Sequence, residues 1–380
     1  MKYDYLIVGA GFSGTVLAER IANVLQKSVL LIDRRNHIGG NAYDFQDEAG
    51  ILVHKYGPHI FHTNDIGVWN YLSQFTDWHP YEHKVLAVIN GEKVPVPFNL
   101  NSIDICFREK KARELETLLL KQYGAEAKIP ILKLKDSEHP DFQELSDFVY
   151  KFVFLGYTVK QWGVKPEDLD MSVTARIPVF VSRDNRYFQD KYQAIPKKGY
   201  SKMFHNMLNN NKYIDVRLNS AFENLNNEEY DKIIFTGPID SYFQYKFGRL
   251  PYRSLFFEFE TLNQEFYQET AQVNYPNDNN YTRITEFKHF LDYPSLQKTT
   301  IAKEYSTEFI DGKNEPYYPV PNEENHRIFS QYLAEAQKLS GSVYFLGRLA
   351  DYKYYNMDQV VARALKFFEK YIKNEKNGRK

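Results

Sequence analysis

The chain has 380 residues, 43% apolar and 26% charged, with a formal net charge of −1 and a pI near 6.8, the balance of a globular protein with length for two or three structural units. Near-neutrality excludes nucleic acid or an anionic membrane as the main partner, and leaves room for a local basic pocket. No apolar run approaches the roughly 18 residues of a membrane span, the opening YLIVGA is too short for a signal peptide, and the single Cys106 has no internal disulfide partner, so a cytoplasmic location is expected.

Residues 3–8, YDYLIV, read as a short buried strand. GAGFSG follows, then a helical stripe of Val16, Leu17, Ile21, Val24 and Leu25, then a second buried strand, SVLLID, at 28–33. This is a βαβ unit, with a right-handed crossover and parallel strands. Between 80 and 98 two strands meet at Asn90-Gly91, a pair suited to a tight hairpin turn. Residues 102–155 carry helical periodicity, and SDFVYKFVFLGY (146–157) is too apolar for a surface helix. KPEDLDMSVTARIP (165–178) reads as a long loop. Strand character returns at 213–220, 231–238, 254–260, 282–290 and 299–306, the last three as an antiparallel sheet. SVYFLGR (342–348) is a last buried strand. A helix with Val360, Val361, Ala364, Leu365, Phe368 and Ile372 on one face follows, then a polar tail, KNEKNGRK.

Gly9, Gly11 and Gly14 form G-x-G-x-x-G around Phe12 and Ser13, between strand and helix. The first allows a tight turn, the second lets a pyrophosphate reach the backbone, and the third lets helix and strand pack closely. The phosphates then meet the free N–H groups of a helix N-terminus. Asp33 ends the next strand, where an acid can accept hydrogen bonds from ribose hydroxyls. A bare glycine turn is the plain alternative; the flanking strand, helix and acid favour a dinucleotide. The stretch DRRNHIGGN (33–41) contributes Arg34, Gly40 and Asn41. It resembles the segment after the ribose acid in two-dinucleotide-binding-domain flavoproteins. DKIIFTGP and VYFLGR resemble later strands of the same group. Three pieces distant in sequence thus match one extended cofactor, FAD rather than NAD.

The stretches VGAGFSG, GGNAYD, YGPHIFHT, GYTVKQWG, TARIPV, NYPNDNNYTRITEFKHF, EPYYPVP and GRLADYKYYNMD resemble bacterial UDP-galactopyranose mutase across essentially the whole chain. The resemblance implies an α/β fold: a Rossmann-like FAD-binding domain from 1–80, 195–245 and 320–372, a helical insertion at 100–155, and an antiparallel substrate-binding sheet domain from 81–99, 156–194 and 246–319. A mobile loop falls near 165–180 and a polar tail at 373–380. The family interconverts UDP-galactopyranose and UDP-galactofuranose through a covalent bond between the sugar and N5 of reduced FAD, supplying galactofuranose for surface polysaccharide. A cellular flavin reductant and a homodimer are implied with it.

Residue by residue, Arg176 and Arg283 match the family's pair on the diphosphate, where charge develops as UDP leaves; a surface salt bridge is the plain alternative for either. Tyr157 and Trp162 match the uridine side, with helix-end packing as their alternative. Tyr187, Tyr317 or Tyr318, and Tyr354 match tyrosines on the diphosphate, and Asn274 an asparagine near the uracil. His59 matches the histidine beside the flavin, Arg348 a contact to the FAD pyrophosphate, and Met357, near the start of the last helix, a further cofactor contact. Asn356 departs from the family's aspartate but suits a helix N-cap. A metal site among His54, His59, His62, His79 and His83 is not expected, because these lie in different kinds of segment. The runner-up reading is a flavin oxidoreductase of the amine-oxidase-like type, which has no need of paired arginines; a third is a non-catalytic nucleotide-sugar binder.

Overall fold

The computed structural model describes residues 2–163, 178–225, 229–293 and 295–373. A five-stranded parallel sheet runs in the order Ile214–Arg217, Val29–Ile32, Lys2–Val8, Glu229–Phe235, Val343–Phe345. All four residues of Val29–Ile32 are buried, as a strand covered on both faces requires. The helix Phe12–Arg20 packs beside the C-terminal helix Met357–Phe367, and Val16, Leu17, Val361, Ala364 and Phe368 share one core. Val24, aligned with that core by its spacing, is instead 41% exposed. Ile21–Leu25 is wound as a π-helix, so the 3.6-residue period that aligned Val24 ends at Arg20.

A second sheet has seven strands, in the order Tyr318–Pro319, Tyr252–Leu262, Thr299–Glu308, Arg283–Glu286, Gln272–Asn274, Val85–Ile89, Glu92–Val96. It is not wholly antiparallel, because Gln272–Asn274 runs parallel to Val85–Ile89. Those two strands are far apart in the chain, with elements of both sheets between them, so no tight turn forces them to oppose. Asn90 and Gly91 both take positive φ, 52° and 87°, the geometry of the hairpin turn their sequence signals. The strand expected over 282–290 stops at Glu286; Phe287–Phe290 is a 3₁₀ turn that drives Phe287 and Phe290 into a separate core.

The helices within 100–155 pack around Leu115, Leu119, Phe142 and Leu145 in a core they share with Val85, Ala87, Ile89 and Val94 of the second sheet. Pro140–Val149 continues through a π-helical stretch, Tyr150–Leu155, into Gly156–Trp162. Pro178–Phe180, assigned to the loop near 165–180, is a strand antiparallel to Lys128–Pro130, with its proline at the first position, where a sheet tolerates it. The rest of that loop, Arg176 included, and the tail from 374 lie outside the described residues. A three-stranded sheet (Phe61–Thr63, Tyr192–Pro196, Trp78–Pro80) and the helix Glu323–Lys338 have no counterpart in the sequence reading. The helix did leave a signal. Asn322 caps it, accepting the Asn325 N–H at 2.8 Å, and two glutamates follow in the first turn. Among the described residues no helix is long and apolar enough to cross a membrane.

Candidate active site

Residues of both large sheets line a cleft of about 1490 Å³. Every residue assigned to the cofactor from the sequence lines it except Gly14, which lies behind the turn against the Gly9 carbonyl. Gly9 has φ +103°, and a Cβ there would sit 2.1 Å from Thr236 Oγ1. Gly40 has φ +56°, and its Cβ would sit 2.9 Å from the Gly11 Cα. The Gly39 N–H donates to the Ala10 carbonyl at 2.8 Å. The glycine pair is therefore bare because it presses against the first glycine turn, and both turns present backbone to the cleft.

Asp33 is buried beneath them. Its Oδ2 accepts the Ala10 N–H at 2.8 Å and its Oδ1 the Arg35 N–H at 2.9 Å. Each oxygen keeps a lone pair, enough for two ribose hydroxyls. Arg34 is half exposed and pairs with Glu315 at 2.6 Å. The neighbouring Arg35, missed from the sequence, is the less exposed of the two, at 14% against 48%. It pairs with the same Glu315 oxygen at 2.6 Å, donates to Asn41 Oδ1 at 2.9 Å and lies over the Tyr56 ring. A cleft of this volume, with two glycine turns at one wall and a buried acid beside them, has the room and the polar groups for a dinucleotide.

His59 lines the same cleft. Its Nδ1 contacts the Gly57 carbonyl at 2.8 Å, so the proton sits on Nδ1 and Nε2 is an acceptor. The His59 backbone N–H donates to Nδ1 of fully buried His54 at 3.0 Å. Burial brings the His59 pKa down to about 4, with Arg348 and Arg283 adding to the shift, and brings that of His83 down to about 3; His54 is held well below its usual value, again by burial. These rings are neutral at pH 7. In the unfolded chain each takes a proton near pH 6.5, so the unfolded state binds more protons and stability falls as pH drops from 6.5 toward 4. A melting temperature lower at pH 5 than at pH 7 is expected, and a smaller difference in His83→Gln; a flat profile would contradict the assignment.

Arg283 begins its strand, opposite Glu304 on one side and Asn274 on the other. Its Nε and an Nη reach one Glu304 oxygen at 2.7 and 2.6 Å, while Thr282 donates to the other at 3.0 Å. Glu304 is 1% exposed. Burial alone would lower the Arg283 pKa; Glu304, Tyr157 and Tyr318 more than reverse this, so the cation persists. The Tyr157 hydroxyl is raised by burial and lies in the field of Arg283, Glu304, Tyr187 and Tyr318. Tyr318 stacks on Tyr354 at 5.4 Å, approaches Trp162 at 6.2 Å, and carries the Arg348 guanidinium over its face at 5.5 Å.

Tyr317 and Tyr318 separate as neighbours in extended chain do, to opposite sides. Tyr318 joins the Arg283 cluster, whereas Tyr317 is buried between Tyr56 and Phe257. Tyr187 stands 39% exposed, edge-on to His83 at 5.8 Å. Asn356 takes the N-cap position, and its N–H donates to Gln359 Oε1 at 3.0 Å. Glu304, Thr282 and Glu315 were not picked from the sequence; their roles depend on cross-strand register and burial. Among the described residues no group of three or more His, Cys, Asp or Glu side chains is gathered as a metal centre needs.

A family model described as UDP-galactopyranose mutase matches residues 152–354, and one described as an NAD(P)-binding Rossmann-like domain matches residues 7–75. The chain is 37% identical to a Klebsiella pneumoniae protein named "Probable UDP-galactopyranose mutase" over 98% of this chain and 96% of that one. It is 35% identical to dTDP-fucopyranose mutase of Escherichia coli, over 98% and 99%, and 36% identical to UDP-galactopyranose mutase of Mycoplasma genitalium, over 96% and 94%. In fold it is similar to a crystal structure of reduced UDP-galactopyranose mutase, at TM-score 0.75 and 16% identity over 97% and 93% of the two chains. It is also similar to a putrescine oxidase, at TM-score 0.60 and 13% identity over 98% and 99%. Such low identities speak for the fold alone; the sequence relatives carry more, and with them this chain belongs to the UDP-galactopyranose mutase family.

Proposed function

We propose that the protein interconverts UDP-galactopyranose and UDP-galactofuranose on bound FAD, as a cytoplasmic homodimer kept active by a cellular flavin reductant, and so supplies galactofuranose for surface polysaccharide. Reduced FAD, when bound, supplies the nucleophile that holds the sugar while UDP is detached. The observation that carries the proposal is Arg283, a permanent cation fixed on buried Glu304 among Tyr157, Tyr318 and Tyr354, beside the dinucleotide cleft. Its fork meets the diphosphate oxygens as their charge grows, without having to reorganise. Arg176 supplies the second cation of the family pair. The hydroxyls of Tyr318, Tyr354 and Tyr187 donate to the same oxygens; Tyr157 and Trp162 stack on or donate to the uracil, and Asn274 reads its edge. Gly9, Gly11, Ser13, Gly40 and Arg348 hold the FAD pyrophosphate, Asp33 its ribose, and Met357 and neutral His59 flank the flavin, His59 offering an acceptor rather than a charge.

The 35% identity to dTDP-fucopyranose mutase over nearly the whole chain favours a second reading, in which the nucleotide is dTDP and the sugar lacks its 6-hydroxyl. Reduced protein offered UDP-galactofuranose and dTDP-fucofuranose in parallel decides between them. Higher kcat/KM for the uridine substrate is expected, and a preference for the thymidine one would overturn the assignment. An oxidase reading predicts stoichiometric flavin turnover with an amine and no isomerisation.

A further inference from the structure

Helix Gly156–Trp162 carries Tyr157 and Trp162, and the strand Gln272–Asn274 ends on Asn274. The two come from distant parts of the chain and are clasped together by contacts that no substrate-facing side chain makes. Lys160 Nζ donates to the carbonyls of Tyr275, at 2.7 Å, and Asp278, at 2.9 Å. Gly156 presses its Cα on the Pro276 carbonyl so closely that a Cβ would lie 2.2 Å from that oxygen. Asn277 Nδ2 donates back to the Phe152 carbonyl at 2.9 Å. Gly156 and Lys160 stand one helical turn apart, on the same face. Residues 275–278 are therefore fixed to the helix at both ends of that turn. An ammonium is suited to this work, since it has three donors and can serve two carbonyls at once.

We propose that Lys160 and Gly156 are positioning residues that set the gap between an aromatic wall, Tyr157 and Trp162, and a polar wall at Asn274, into which the nucleotide base enters. The inference rests on the uridine-nucleotide function proposed above. Neither residue touches the substrate; they act through the spacing of those that do. Loss of the clasp lets the walls part, which weakens base binding and leaves the bond-breaking end alone, where Arg283 is held separately by Glu304.

The test uses FAD-loaded protein titrated calorimetrically with UDP, beside steady-state kinetics. Lys160→Met is expected to weaken UDP binding and raise KM by about tenfold, the loss that follows removal of hydrogen bonds from a charged donor. FAD content and absorption spectrum stay unchanged, and kcat stays within about twofold of wild type. Lys160→Arg, which still reaches two carbonyls, recovers most of the binding. Gly156→Ala reproduces the Lys160→Met defect, and carries the same test should Lys160→Met fail to fold. Wild-type affinity for UDP in Lys160→Met and Gly156→Ala overturns the clasp and leaves the functional proposal standing, as does a fall in kcat at unchanged KM. A wild-type protein that does not bind UDP overturns both.

Discussion

Arg283→Ala should keep its FAD and lose about 10²–10³-fold in kcat, the usual cost of removing one preorganised donor from developing oxyanion charge. Glu304 is almost wholly buried and takes two hydrogen bonds from the guanidinium on one oxygen and one from Thr282 on the other, and the cation it holds lies within the electrostatic reach of Tyr157 and Tyr318. Removal of the arginine also strands a buried carboxylate, which by itself costs about 3–5 kcal/mol of stability when a buried pair is broken. Arg283→Lys separates the two effects. It keeps a charge beside Glu304 but cannot bind both carboxylate and diphosphate as a fork, so its melting temperature should approach wild type while kcat remains reduced. Single-turnover rates on reduced protein read the chemistry; a rate unchanged in Arg283→Ala removes the residue from the reaction.

Gly40→Val should yield protein without flavin. Its Cβ would lie 2.9 Å from the Gly11 Cα, and that neighbour is backbone, with no flexible end to swing aside. At φ +56° a β-branched residue is strained as well. Either the Gly39-Gly40 turn or the Gly9–Gly14 turn must then move, and both face the cofactor cleft. The ratio of flavin to protein absorbance after purification measures the outcome, with circular dichroism to show that the fold persists. Asp33→Ala should fall between, with FAD bound but lost on dialysis, because the acid supports the turn through Ala10 as well as facing the ribose. Full occupancy in Gly40→Val would mean that the cofactor lies elsewhere.

What could be read from the sequence divides by the range of the interaction. Gly9, Gly11, Gly14 and Asp33 were legible because one turn and the strand after it contain their whole logic. Arg283 and Tyr157 were legible through the stretches around them. Glu304 was not, because it becomes Arg283's anchor only through a cross-strand pairing between segments that sequence alone does not align. Arg34 and Arg35 look equivalent as letters; burial beneath Tyr56 and beside Glu315 makes Arg35 the inner one. Tyr317 and Tyr318 are parted only by the extended backbone they sit on, which adjacent identical letters do not reveal. Val24 leaves the core in a π-helix, which leaves no mark in a pattern of apolar residues, and Pro178 reads as loop because a proline at the start of a strand looks like one that breaks it.

The central claim is that a reduced flavin in this cleft makes the bond to sugar while protein cations ease the departure of UDP. The most direct measurement is the conversion of UDP-galactofuranose to UDP-galactopyranose by one preparation, oxidised and then reduced with dithionite under argon. Conversion only after reduction, with the flavin still reduced when the substrate is exhausted, is the expected result; equal conversion by the oxidised or flavin-free protein would contradict it.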